Sequence, residues 1–92
     1  MADASSTNIE AVRRYLRALA NGVVGDDLRA FFTEDAVQVE LPNRLNPTGG
    51  ESDLETLLRR AVQGQQLLRG QRYDVRSVVA ANEQVAVEAL WT

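Results

Sequence analysis

The side chains that do most enzyme chemistry are missing from this sequence. Its 92 residues include no cysteine and no histidine, which removes the thiolate nucleophile, the usual general base and the commonest transition-metal ligand. All ten basic residues are arginine, so a Schiff-base lysine and a phosphate-loop lysine are absent too. The acids Asp26, Asp27, Glu34 and Asp35 fall in helix caps and corners, with no histidine to complete a metal site; no metal and no cofactor are expected. What remains is phenol, indole, carboxylate and guanidinium: Tyr15, Tyr73, Trp91, Glu40 and the arginines. Each also has a plain structural reading. Tyr15 packs on the apolar face of a helix, Tyr73 and Trp91 share the apolar face of a hairpin, Glu40 faces solvent from a strand, and Arg44 is a solvated loop residue or meets an anion at a pocket mouth.

These residues sit on elements that the spacing of apolar positions defines. Thr7 and Glu10 fit a capping box, so a helix is expected from about Asn8, with residues 1–7 a disordered lead-in. Ile9, Val12, Tyr15, Leu16 and Leu19 fall on one helical face and Arg13, Arg14 and Arg17 on the other. Glu10 is placed to pair with Arg13 or Arg14. Asn21-Gly22 is a helix stop. Asp26 is expected to cap a short second helix burying Leu28, Phe31 and Phe32. Thr33, Glu34 and Asp35 then turn the chain, with Asp35 bonding backbone N–H groups.

From Ala36 the period falls to two: Val37, Val39 and Leu41 alternate with Gln38 and Glu40, which predicts a half-buried strand ended by Pro42. Residues 43–50, NRLNPTGG, read as a loop with room for a brief strand at Arg44-Leu45. Ser52 and Glu55 repeat the capping box, and Leu54, Leu57, Leu58, Ala61, Val62, Gln65 and Leu68 keep a helical stripe towards Gly70. Gly64 inside it marks either a close backbone approach or nothing in particular.

Gln71 to Ala80 and Gln84 to Thr92 read as a hairpin. A two-residue loop would set Ser77 opposite Glu88 and mix polar with apolar residues on both faces. A three-residue loop, Ala81-Asn82-Glu83 with Asn82 at positive φ, puts Tyr73, Val75, Ser77 and Val79 on the face of Val85, Val87, Ala89 and Trp91, and sets Arg76 opposite Glu88. The second register is the expected one.

Length and composition fit one domain, whose chain buries roughly 60 to 65% of its unfolded surface. A hydrophobic content of 45% beside 25% charged residues is that of a soluble globular domain. No apolar run approaches the roughly 20 residues of a membrane span, and MADASSTN has no secretory pattern. A cytoplasmic protein is expected, with no membrane association. The net charge of −3 and the scatter of arginines among acids argue against nucleic acid.

The order helix, helix, strand, loop, helix, strand, strand, headed by xxYLxAL and GDDLRAFFTEDAVxVELP, resembles the SnoaL-like group of the nuclear transport factor 2-like superfamily, to which ketosteroid isomerases also belong. The resemblance rests on VRRYLRAL, FFTEDAV and VRSVVAANEQVAVEALW and spans residues 9–92, so residues 8–92 form the expected domain. It implies an α+β fold in which a cone-shaped, curved antiparallel sheet packs on three helices around an apolar pocket. Members usually carry a further pair of strands beyond the equivalent of Thr92. The C-terminal edge is therefore expected to be incomplete, through truncation, natural shortening or pairing by a partner chain.

By the same resemblance, Tyr15 matches a tyrosine that stabilises an enolate oxygen in steroid isomerases. Their general base would fall near Glu40-Leu41-Pro42. Leu41 occupies the acid's slot and Glu40 is one residue away, on the opposite face of the strand. Tyr15 and Glu40 are thus the candidate catalytic residues, and Tyr15, Phe32, Tyr73 and Trp91 the candidate ligand-lining ones. In related limonene-epoxide hydrolases an Arg and an Asp position the attacking water; Ala89 and Trp91 stand in those places, so that chemistry is not expected. The family hosts isomerases, cyclases, hydrolases and non-catalytic binders alike. Two functions follow: a pocket for a small apolar molecule, with cofactor-free proton transfer if it is an enzyme, or a non-catalytic ligand-binding or dimerisation domain. A homodimer through the sheet face or open edge strand is the expected assembly.

Overall fold

Seven elements follow one another in the computed structural model, which describes residues 4–67 and 70–92: α1 (Ala4–Ala20), α2 (Asp26–Arg29), β1 (Val37–Glu40), β2 (Gly50–Asp53), α3 (Leu54–Leu67), β3 (Tyr73–Ala81) and β4 (Gln84–Trp91). The architecture is α+β. The described strands pair two by two, β1 with β2 and β3 with β4, as two small antiparallel sheets. They belong to two compact units, one built from α1, β3 and β4 and the other from α2, β1, β2 and α3.

In the first unit α1 packs on both strands of the β3–β4 hairpin. Ile9, Val12, Tyr15, Leu16 and Leu19 are half-buried, as are Asn8, Ala11 and Ala18 beside them, while Arg13, Arg14 and Arg17 are exposed, so the stripe includes the one its spacing predicts. The helix closes at Asn21-Gly22. Gly22 takes φ 80, its N–H donates to Leu19 O at 3.1 Å, and Val23 N–H donates to Ala18 O at 3.0 Å. This pair of bonds satisfies two otherwise orphan carbonyls and needs a left-handed residue between them. The start differs. The helix takes in Ala4 to Thr7, so Thr7 is an interior residue and not a cap; no glycine or proline there stops the backbone from continuing. Residues 1–3 of the expected lead-in lie outside the described residues. Glu10 pairs with Arg17, at 3.1 Å, and not with Arg13 or Arg14.

The β3–β4 hairpin combines the two registers weighed above. Its turn has two residues, since Ala81 pairs with Gln84, and Ser77 stands opposite Glu88. Asn82 takes φ 56 as expected, in a turn of two residues where three were expected. The predicted mixing of faces does not follow, because a bulge at Arg76 resets the ladder, and Val75 pairs with Ala89 and Tyr73 with Trp91. Tyr73, Val75, Val78 and Ala80 are accordingly half-buried while Ser77 and Val79 are exposed. Arg76 faces no cross-strand partner at Glu88; it bonds Asp74 at 2.9 Å.

The second unit holds the core residues Leu28, Leu54, Leu57 and Leu58, all buried. Gly25, at φ 65, precedes α2, where Asp26 was expected as cap. Asp26 instead lies in the first turn and pairs with Arg29 at 3.1 Å. The helix ends at Arg29, which leaves Phe31 and Phe32 in the following turns; Phe31 is exposed and Phe32 half-buried. Arg29 also grips both carboxylate oxygens of Glu55, at 2.5 and 3.2 Å, fastening α2 to the start of α3.

Helix α3 is capped by Asp53 and not Ser52: Thr56 N–H donates to Asp53 Oδ1 at 2.8 Å. Ser52 is buried and accepts from Arg60 Nη1 at 3.0 Å. It belongs to β2, a strand unforeseen in GESD because that tetrapeptide has no apolar residue to show a period. The expected half-burial of β1 does not follow: all four of its residues are exposed, including Gln38, which sits opposite Ser52. Val37 and Val39 remain 61% and 63% exposed, with Leu41 beyond them at 76%. No strand forms at Arg44-Leu45, where the chain bends. Leu68 lies outside the described residues.

Candidate functional site

A groove opens in the first unit where α1 crosses β3. Leu16 and Ala20, one turn apart on the helix, and Val75 on the strand give it an apolar wall. Tyr73, Arg13, Arg17 and Arg72 complete the lining. The groove encloses about 150 Å³, below the several hundred Å³ of a drug-sized site and near the size of a cavity that admits one six-carbon ring. The helix pattern explains the mixed lining: Arg13 with Arg17 and Leu16 with Ala20 are i,i+4 pairs on adjoining rows, so the groove runs along the border between the polar and apolar faces of α1.

Of the residues expected to line a ligand site, Tyr73 lines this groove, and Tyr15 and Trp91 are not part of its lining. Tyr73 and Trp91 face each other across the hairpin, and both donate to one acceptor, Gln71 Oε1, from the Tyr73 hydroxyl at 3.3 Å and the Trp91 indole nitrogen at 3.0 Å. Gln71 in turn donates from Nε2 to Leu19 O at 2.9 Å, tying the hairpin to the last turn of α1. Burial, and secondarily the charge of Tyr73, pushes the Tyr15 phenol above its ordinary value. Burial does the same to Tyr73. Both phenols therefore stay protonated near neutral pH and act as hydrogen-bond donors, not as bases.

Glu40 and Phe32 belong to the other unit. Glu40 is exposed, and hydrogen bonds from the Asn43 amide (2.9 Å) and the Asn46 amide (3.2 Å) hold its carboxyl below the usual carboxylate range. Asn43 Oδ1 meanwhile accepts from the backbone N–H groups of Leu45 and Asn46, each at 3.0 Å. Glu40 thus braces the loop after β1, and its surroundings shift it away from the pKa near 7 that suits a general base. Asp35, expected to bond backbone N–H groups at this corner, accepts from the Thr33 hydroxyl at 2.7 Å.

No family model, curated protein or solved structure matches this chain. Among the described residues no three carboxylates come together as a metal site, and no helix is long and apolar enough to cross a membrane. Lining residues not foreseen as site residues include Ala20, Arg72 and Val75, and Gln71 holds the neighbouring Tyr73. The i,i+4 arginines of α1 were a visible sign of one wall. Nothing local marks Gln71, whose partners are 52 and 20 positions away.

Proposed function

We propose that this chain is a non-catalytic binding domain that holds a small apolar group in the groove of α1 and β3. The observation that carries the reading is the lining itself: apolar side chains and a phenol, bordered by guanidinium groups, with no residue able to accept a proton near neutral pH. Proton transfer needs a base; binding does not. The SnoaL-like resemblance remains the frame for this reading, as a fold that encloses an apolar pocket and serves binders as well as enzymes. Titration with 2-phenylethanol, followed by the methyl resonances of Leu16, Ala20 and Val75, is the test. Saturable shifts confined to those methyls support the reading, and their absence, or shifts centred elsewhere, overturns it.

Self-association is a second reading, favoured by the exposed apolar face of Val37 and Val39 on β1. A stable dimer through that face predicts a sedimentation coefficient that rises with protein concentration and stops rising in the Val39→Glu variant. A monomer at all concentrations removes it.

A further inference from the structure

We infer that the groove selects an amphiphilic anion, a small apolar ring or short chain ending in a carboxylate. This rests on the binding reading above and adds the charge and shape of what is bound. The chain carries a net charge of −3, yet the groove is lined by three arginines and no acid. That local reversal of sign is the observation to be explained, since a purely apolar ligand gives the guanidinium groups of Arg13 and Arg72 no partner.

The charges already committed can be counted around the site. Arg17 is shared with Glu10, at 3.1 Å between two exposed side chains. Asp74, next to Tyr73 in β3, is taken by Arg76 at 2.9 Å. Among the described residues no carboxylate pairs with Arg13 or with Arg72. Two guanidinium groups are therefore available, each with planar, paired N–H donors that match a carboxylate. Arg13 comes from a helix and Arg72 from the backbone beside β3, where its N–H and C=O exchange bonds with Thr92 at 2.9 and 3.0 Å. Both line the groove, one from α1 and one from the segment leading into β3, together with the apolar Leu16, Ala20 and Val75. A ligand that satisfies both has its apolar part against those three side chains and its anionic end at the rim, where water still reaches and the desolvation cost is small.

The experiment compares phenylacetate, its neutral counterpart 2-phenylethanol, and acetate, by the same methyl resonances and by the arginine side-chain resonances of the full chain. Phenylacetate is expected to bind on the order of tenfold more tightly than 2-phenylethanol, the scale of one or two charge-assisted hydrogen bonds at a solvated rim. That ratio is expected to fall to about one in the Arg13→Gln, Arg72→Gln double variant and to shrink in about 0.5 M salt. Arg59→Gln, outside the groove, leaves it unchanged, and circular dichroism confirms that each variant is folded. Equal affinity for phenylacetate and 2-phenylethanol overturns the anion inference and leaves the binding reading standing. Acetate binding as tightly as phenylacetate also overturns it, because the apolar wall then contributes nothing. If neither aromatic probe binds, both readings fall.

Discussion

The indole nitrogen of Trp91 donates to Oε1 of Gln71 at 3.0 Å, and through the other end of that amide the last strand is tied to Leu19 at the end of α1. A single half-buried side chain so joins both ends of the first unit. Replacing it with leucine keeps the bulk and removes three hydrogen bonds, leaving two aromatic donors to find water while the Leu19 carbonyl keeps its bond from the Gly22 N–H. The expected cost of Gln71→Leu is about 1–2 kcal/mol, because these groups are only partly shielded. Urea unfolding followed by circular dichroism measures it, and Trp91 emission reports the lost bond. A stability unchanged to within a few tenths of a kcal/mol would mean that Gln71 is not the tie.

The bulge at Arg76 leads to a pair of deletions with opposite outcomes. Removing Arg76 lets Val75 and Ser77 follow one another in a regular ladder, with Tyr73, Val75, Val78 and Ala80 still facing α1. Its exposed contact with Asp74 contributes little. Removing Val79 also restores a regular ladder, but only by turning Ser77 inward in place of Val78. The Arg76 deletion is expected to melt within a few degrees of the parent, and the Val79 deletion to lose about 1–3 kcal/mol for the lost valine burial. Equal melting temperatures would contradict the register.

This hairpin also shows how far a sequence can be read. Alternation told which residues belong to strands, and the positive φ of Asn82 was foreseeable from its type. The choice between registers was not, because each satisfied one half of the hairpin and a bulge has no residue signature of its own. The α1 stripe and the Asn21-Gly22 stop were legible because helical spacing and left-handed caps are local properties. The exposure of β1 was illegible for the converse reason: alternation marks an apolar face but not whether anything covers it, and the paired segment GESD announces no strand. At the site, Tyr73 and Trp91 were visible by type, whereas Gln71 and Arg72 are ordinary polar residues given meaning by distant partners.

Two glycines separate conformational need from chance. Gly64 lies inside α3 with ordinary helical φ, and a methyl group placed there meets nothing. Gly64→Ala is therefore expected to stabilise the chain by about 1 kcal/mol through helix propensity. Gly49 is the opposite case. It holds φ 63, and a methyl group there would run into the Glu40 carbonyl oxygen and the Pro42 nitrogen. Gly49→Ala combines left-handed strain with overlap against backbone, for a loss of at least about 2 kcal/mol. Thermal melts of both variants decide this, and a stabilised Gly49→Ala would refute the turn geometry.

Acid should unfold the second unit through identifiable carboxylates. Hydrogen bonds from Thr56 hold Asp53 below its ordinary value, and the Arg29 fork does the same for Glu55. A folded-state pKa below the unfolded one means that the contribution is fully present above the ordinary value, roughly pH 4, and disappears as pH falls through the lowered one. The melting temperature is thus expected to be level through the neutral range and to drop below about pH 4. Asp53→Asn keeps an oxygen to cap Thr56 N–H but has no proton to gain, so its melting temperature is expected to fall less steeply with acid than the parent's. Glu55→Gln breaks the ion pair with Arg29 and should also flatten the acid limb, from a lower neutral-pH value. Parallel acid limbs for the parent and both variants would show that other carboxylates drive the transition.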